Sequence, residues 1–216
     1  LYSLSNLPRN EYMDNPRACR AYLKRVQSLL NILGNPEKQI PHYIHVAGTS
    51  GKGSVCHFLH NIMRARGVKS GLYVTPHPTE LTERWNIGKQ QMSKRSFIEL
   101  TKTIINALDT YAQTVSEDLP SFFEVTTAMG LYWFAGRKVE WLIFETGCGG
   151  RSDSTNVLPY KDAAVITNIG LDHTDIFGTD LMDIAKEKAG IIPKAKLAIT
   201  QEQSAKLLNI IRKAAG

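Results

Sequence analysis

The sequence predicts an α/β protein: a mostly parallel sheet with helices on both faces. Three observations point there. Short apolar runs of strand length alternate with amphipathic stretches of helical length. Polar, glycine-containing segments gather just after the strand ends, at 48–54, 75–77, 145–156 and 168–173, where an open parallel sheet binds its ligands. A chain of 216 residues holds one full domain with room for an incomplete second.

Apolar positions Tyr22, Val26, Leu29, Leu30 and Leu33 recur every three to four residues and predict a helix over 16–34, stopped by Gly34 and Pro36. A strand over 43–47 follows, then a glycine-rich turn and a helix over 52–66. That helix carries Val55, Phe58, Leu59, Ile62 and Met63 on the face expected to meet the core, and Gly67 ends it. A strand over 71–75 leads into a polar, proline-containing loop over 76–92, long enough to suggest function. Helices over 93–115 and 122–136 flank a break at Glu117, Asp118, Leu119 and Pro120. Strands over 141–144, 163–167 and 196–200 alternate with helices over 180–188 and 204–214.

Composition excludes several classes. No stretch of 18 apolar residues exists to cross a membrane, and no basic-then-apolar leader opens the chain. The chain starts at Leu1 rather than Met, so a trimmed or partial chain is expected. Cys19, Cys56 and Cys148 are odd in number and form no CxxC pair, as in a reducing cytoplasm. The net charge of +6 suits an anionic partner such as a nucleotide. The basic residues form no stripe, so nucleic acid is not expected.

Gly48, Thr49, Ser50, Gly51, Lys52, Gly53 and Ser54 lie between a strand and a helix. Small residues there let backbone N–H groups face a phosphate chain at the helix N-terminus. Lys52 would neutralise the terminal phosphates and the Ser54 hydroxyl would ligate Mg²⁺. The general GxxxxGK[ST] pattern is not met, because Val46 stands at the first glycine and Gly53 follows the lysine. Glu145 ends a buried strand before Gly147, Gly149 and Gly150; such an acid can hold Mg²⁺ or pair with Arg151. Asp172-His173 follows a strand end, although imidazole is an unusual Mg²⁺ ligand. Lys188 reads by default as a solvated helix lysine, and chemistry alone does not single it out.

Together these segments resemble the folylpolyglutamate synthase/dihydrofolate synthase family, within the wider Mur ligase superfamily. The resemblance runs from about Leu23 to Ala198. It is carried by Leu33-Gly34-Asn35-Pro36, the 45–54 segment, Pro76-His77 with Glu83-Arg84, Phe122-Phe123-Glu124 with Thr127-Ala128, the 145–156 run, the 168–173 run and Glu187-Lys188-Ala189-Gly190-Ile191. It implies the phosphate-loop ATPase domain of an ATP-dependent amide ligase. ATP phosphorylates a pteroate or folate carboxylate, and L-glutamate attacks the acyl phosphate. Residue by residue, it implies a first Mg²⁺ on Ser54 and Glu145 with Thr75, and a second helped by His173. Lys188 matches a carbamylated lysine. Phe123 and Asp153 match positions lining the pteridine pocket, and His77 and Arg84 belong to a mobile loop beside the substrate.

Four departures bear on substrate preference: Ser50 stands for a common Asn, Val74-Thr75 for a Thr-Ser pair, Pro78 follows His77, and Trp85 replaces an aliphatic residue. The chain stops at Gly216, so the resemblance implies an incomplete ATP-binding domain over 1–216 without the C-terminal glutamate-binding domain, and inactivity alone. A cytoplasmic monomer without nucleic-acid or membrane partners is expected. The alternatives are a cell-wall-type Mur ligase and a truncated, non-catalytic nucleotide-binding relative.

Overall fold

Near-continuous burial along the central strands, as in a parallel sheet covered on both faces, marks the sheet, which the computed structural model describes over residues 20–116, 118–202 and 204–216. The start of the helix expected over 16–34, Cys19 and Glu117 lie outside them. Strands β1 (His42–Ala47), β2 (Ser70–Tyr73), β3 (Trp85–Ile87), β4 (Gln90–Gln91), β5 (Trp141–Glu145), β6 (Lys161–Ile166) and β7 (Ala195–Thr200) lie in the order β4-β3-β2-β5-β1-β6-β7. Strands β1, β2, β5, β6 and β7 are mutually parallel, whereas β3 pairs antiparallel with β2 on one side and with β4 on the other. All five parallel strands therefore end at one edge, where the predicted polar segments follow.

Helices α1 (Arg20–Ile32), α3 (Lys94–Thr114) and α4 (Phe122–Gly136) pack with Tyr43, Tyr73, Leu142 and Phe144 in one cluster. Beside it, α6 (Leu181–Ala189) and α7 (Ala205–Ala215) cover Ala47, Ala164 and Ile166. The alternate strand residues Ile44, Val46, Leu72, Ile143 and Ala163 face the other side and meet α2 (Lys52–Ala65). Helix α4 is apolar on most of its surface because α1, α3 and the sheet enclose it. A capping box closes its start, where Ser121 and Glu124 satisfy each other's backbone N–H groups. No helix among the described residues is long and apolar enough to cross a membrane.

Three expectations need correction. Helix α2 does not bury the five-residue face read from its sequence: Phe58 is 69% and Ile62 61% exposed, while Cys56 and His60 are buried. The cause is polar. His60 bonds Ser70 Oγ at 2.9 Å and Gly88 O at 2.8 Å, which rolls the helix toward β2 and β3. The 76–92 loop contains a 3₁₀ turn (Leu81–Arg84) and the two antiparallel strands β3 and β4. A short helix α5 (Thr174–Phe177), unseen in the periodicity, follows β6.

Candidate functional site

The loop after β1 turns through Gly48 (φ 150°) and Gly51 (φ 79°), conformations that glycine adopts without the Cβ penalty. The segment after β6 pins it. Thr49 N–H donates to Asn168 O at 2.9 Å, and Ser50 N–H to Asn168 Oδ1 at 2.9 Å. Thr167 Oγ1 donates to Ser50 O at 2.7 Å. Lys52 opens α2 and folds back, its Nζ donating to Gly48 O at 3.0 Å and Thr49 O at 3.4 Å. Among the described residues only carbonyls accept from this ammonium, so an incoming anion can displace them at small cost. Ser54 is exposed in the first turn of α2.

Glu145, the last residue of β5, is 3% exposed. Its Oε2 accepts the Thr75 backbone N–H at 3.0 Å, and a Cβ on Gly53 would sit 3.6 Å from both carboxylate oxygens. Burial pushes its pKa up to about 7, outweighing the Thr75 hydrogen bond and the Lys52 and Arg84 charges. Among the described residues no side-chain cation forms an ion pair with it. A buried carboxylate lacking a counter-charge fits a hard cation. No group of three His, Cys, Asp or Glu side chains converges among the described residues, so remaining ligands would come from hydroxyls, water and phosphate. Gly53, Thr75 and Glu145 line one cavity of about 360 Å³.

Thr75 also lines a neighbouring cavity of about 320 Å³ with Tyr22, Phe123, Cys148, Asp153 and Ile176. Asp153 does not offer it a free carboxylate. Oδ1 accepts from Thr155 N–H and Oγ1, and Oδ2 from Gly147 and Cys148 N–H. All four lone-pair positions serve the loop. Asp153 thus lines the cavity, as its sequence position implies, with its carboxylate held by the loop.

Arg84 is likewise turned inward. Its Nε donates to His77 Nδ1 at 3.0 Å and its guanidinium lies 5.7 Å over the Phe122 ring. Its buried Nη1 has no hydrogen-bond partner among the described residues, leaving both of that nitrogen's N–H donors unpaired. Burial and the Arg84 charge lower the His77 pKa.

Lys188, in the last turn of α6, is 1% exposed, against the solvated-lysine reading. Its Nζ lies 3.2 Å from Asp172 Oδ2, and burial lowers its pKa, outweighing the Asp172 charge. His173 sits at positive φ (48°) with Nε2 3.5 Å from Asp172 Oδ1. Asp172, named from the sequence with His173 but given no role there, therefore bridges the two. Asn168 was also missed as a loop anchor; its position after a strand end was the available signal.

A model of the Mur ligase middle domain family matches residues 46–215. The dihydrofolate synthase/folylpolyglutamate synthase of Bacillus subtilis is 37% identical over 191 residues, covering 88% of this chain and 44% of that protein. The folylpolyglutamate synthase of Lacticaseibacillus casei is 35% identical over 177 residues, covering 82% of this chain and 41% of that protein. Among solved structures, a folylpolyglutamate synthase–AMPPCP–folate complex superposes with a TM-score of 0.87 at 30% identity, over 99% of this chain and 50% of that one. The Mycobacterium tuberculosis folylpolyglutamate synthase with ADP and AMPPCP gives 0.83 at 34% identity, over 89% of this chain and 44% of that one. The chain spans less than half the length of these two curated relatives. The chain belongs to the Mur ligase middle-domain family, and within it to the folylpolyglutamate synthase/dihydrofolate synthase group.

Proposed function

We propose that this chain carries the ATP and Mg²⁺ site of a ligase that adds L-glutamate to dihydropteroate, to a reduced folate, or to both. The observation that carries this reading is the buried, uncompensated Glu145 carboxylate facing Gly53 of the phosphate loop, one residue from Lys52. A cavity walled by Phe123 adjoins it through Thr75. Relatives of this fold bind AMPPCP and folate.

In this reading the N–H groups of 48–54 and the start of α2 receive the ATP phosphates. Lys52 leaves its own carbonyls to lie along the terminal phosphates. Ser54 and Glu145, with Thr75, would hold one Mg²⁺, and His173 would help hold a second. Bound Mg²⁺ supplies charge neutralisation between the phosphates and the acceptor carboxylate. The cavity beside Phe123 takes the pterin ring and orients the carboxylate, whose oxygen attacks the γ-phosphorus; ADP leaves and an acyl phosphate forms. The neutral amine of glutamate then attacks the acyl carbon, inorganic phosphate departs, and the nitrogen loses a proton as the amide forms. Burial favours the neutral amine of Lys188. That form can add to CO₂, releasing one proton and leaving an anionic carbamate beside Asp172 and His173.

Calorimetric titration with AMPPCP and Mg²⁺ tests the nucleotide role. Lys52→Ala is expected to weaken binding at least tenfold, about 1.4 kcal/mol. Unchanged affinity would overturn the assignment.

A further inference from the structure

Lys161 in β6 is 2% exposed, and among the described residues no carboxylate pairs with it. Its three ammonium hydrogens go to Ile191 O at 2.6 Å, Asn156 Oδ1 at 2.9 Å and Pro193 O at 3.0 Å. Its backbone N–H donates to Lys194 O at 2.9 Å. The Asn156 amide donates to Arg151 O at 3.0 Å and Gly190 O at 3.1 Å. The carbonyls of Gly190, Ile191 and Pro193, directly beyond the helix that bears Lys188, thus converge on the buried Lys161 ammonium and the Asn156 amide that it holds.

Helix ends leave carbonyls without intrahelical partners, and this end is buried: Ile191 is 0% and Ile192 3% exposed. A buried lysine is costly where an apolar residue would pack; here it caps the turn after α6 from strand β6. The turn and the glycine-rich loop also meet backbone to backbone. Arg151 N–H donates to Glu187 O at 2.8 Å, and a Cβ on Gly150 would lie 3.0 Å from Lys188 O. Displacement of one segment displaces the other.

We propose that Lys161, acting through Asn156, is a positioning residue for Lys188, fixing the end of α6 against the 147–156 loop so that the Lys188 amine stays beside Asp172. The importance given to Lys188 rests on the function proposed above; the latch itself rests on these contacts alone.

The test is the rate at which cyanate modifies Lys188 in the folded chain, mapped by peptide mass spectrometry. The neutral amine nitrogen adds to the carbon of cyanic acid and a proton passes to the cyanate nitrogen, leaving a urea. Lys161→Met keeps bulk but removes the donors, and is expected to speed modification of Lys188 about tenfold by local opening. Asn156→Ala is expected to act in the same direction, and it decides the matter alone if Lys161→Met does not fold. Val26→Ala, which opens a cavity in the other cluster on this face, should leave the Lys188 rate within about twofold despite its stability loss. A Lys188 rate within about twofold of the parent in both latch variants would overturn the proposal, whatever their melting temperatures. The readout needs neither nucleotide nor turnover, so its failure is distinct from failure of the ligase reading, which Lys52→Ala addresses.

Discussion

Glu145 and Lys161 are buried charges of opposite sign, each without an ionic partner among the described residues, and each responds differently to removal. Glu145 has one backbone donor, so ionising it in metal-free protein opposes folding. Glu145→Gln keeps the shape and loses the charge. At pH 8 without metal it is expected to stabilise the chain by about 1–2 kcal/mol in urea unfolding, and to erase any Mg²⁺ dependence of AMPPCP binding. Lys161 spends all three hydrogens, yet burial lowers its pKa from 10.5 to about 8. Between those values the unfolded chain holds more protons than the folded one, so stability rises with pH. Relative to Lys161→Met, the parent should gain about 1–3 kcal/mol between pH 7.5 and pH 10, measured by urea unfolding at both. No gain would place the amine in water rather than in the turn.

At the scale of elements, close packing and capping set the tolerances. A Cβ on Gly150 would meet the carbonyl oxygens of Glu187 at 2.9 Å and Lys188 at 3.0 Å, and both are backbone with little room to yield. Gly150→Ala should therefore cost at least about 2 kcal/mol, whereas Ser121→Ala, which loses one half of a capping box, should cost about 1 kcal/mol. Thermal unfolding separates them. Element type was legible where apolar spacing is strong, as in the α1, α3 and α4 helices and the β1, β5 and β6 strands. It was not legible where polar partners govern. The roll of α2 comes from His60 bonding Ser70 and Gly88, and β3 and β4 are short, half-polar strands paired across a tight turn.

On the scale of the molecule, the site is a property of the sheet edge. The loops after β1, β2, β5 and β6 come together because the parallel strands all end there. Nucleotide binding should thus stabilise the whole domain. AMPPCP with Mg²⁺ at a hundred times its dissociation constant is expected to add about 2.7 kcal/mol, seen as a rise in melting temperature. The same concentration should produce far less in Lys52→Ala. The sheet is unevenly clad: among the described residues α2 alone covers one face, and Leu197 and Ile199 on β7 remain 55% and 46% exposed there.

Strand, loop and helix order, the glycine-rich loop before α2 with Lys52 and Ser54, and Glu145 at a strand end follow from the sequence, because they depend on residues near one another in the chain. What Asp153, Arg84, Asp172 and Lys161 do was decided by tertiary structure. Lys161 meets carbonyls 30 and 32 residues away, and Asn168 meets a loop 118 residues away. A polar side chain can serve solvent, substrate or a distant backbone group equally well in chemical terms. Only the fold determines which of these lies within 3 Å of it.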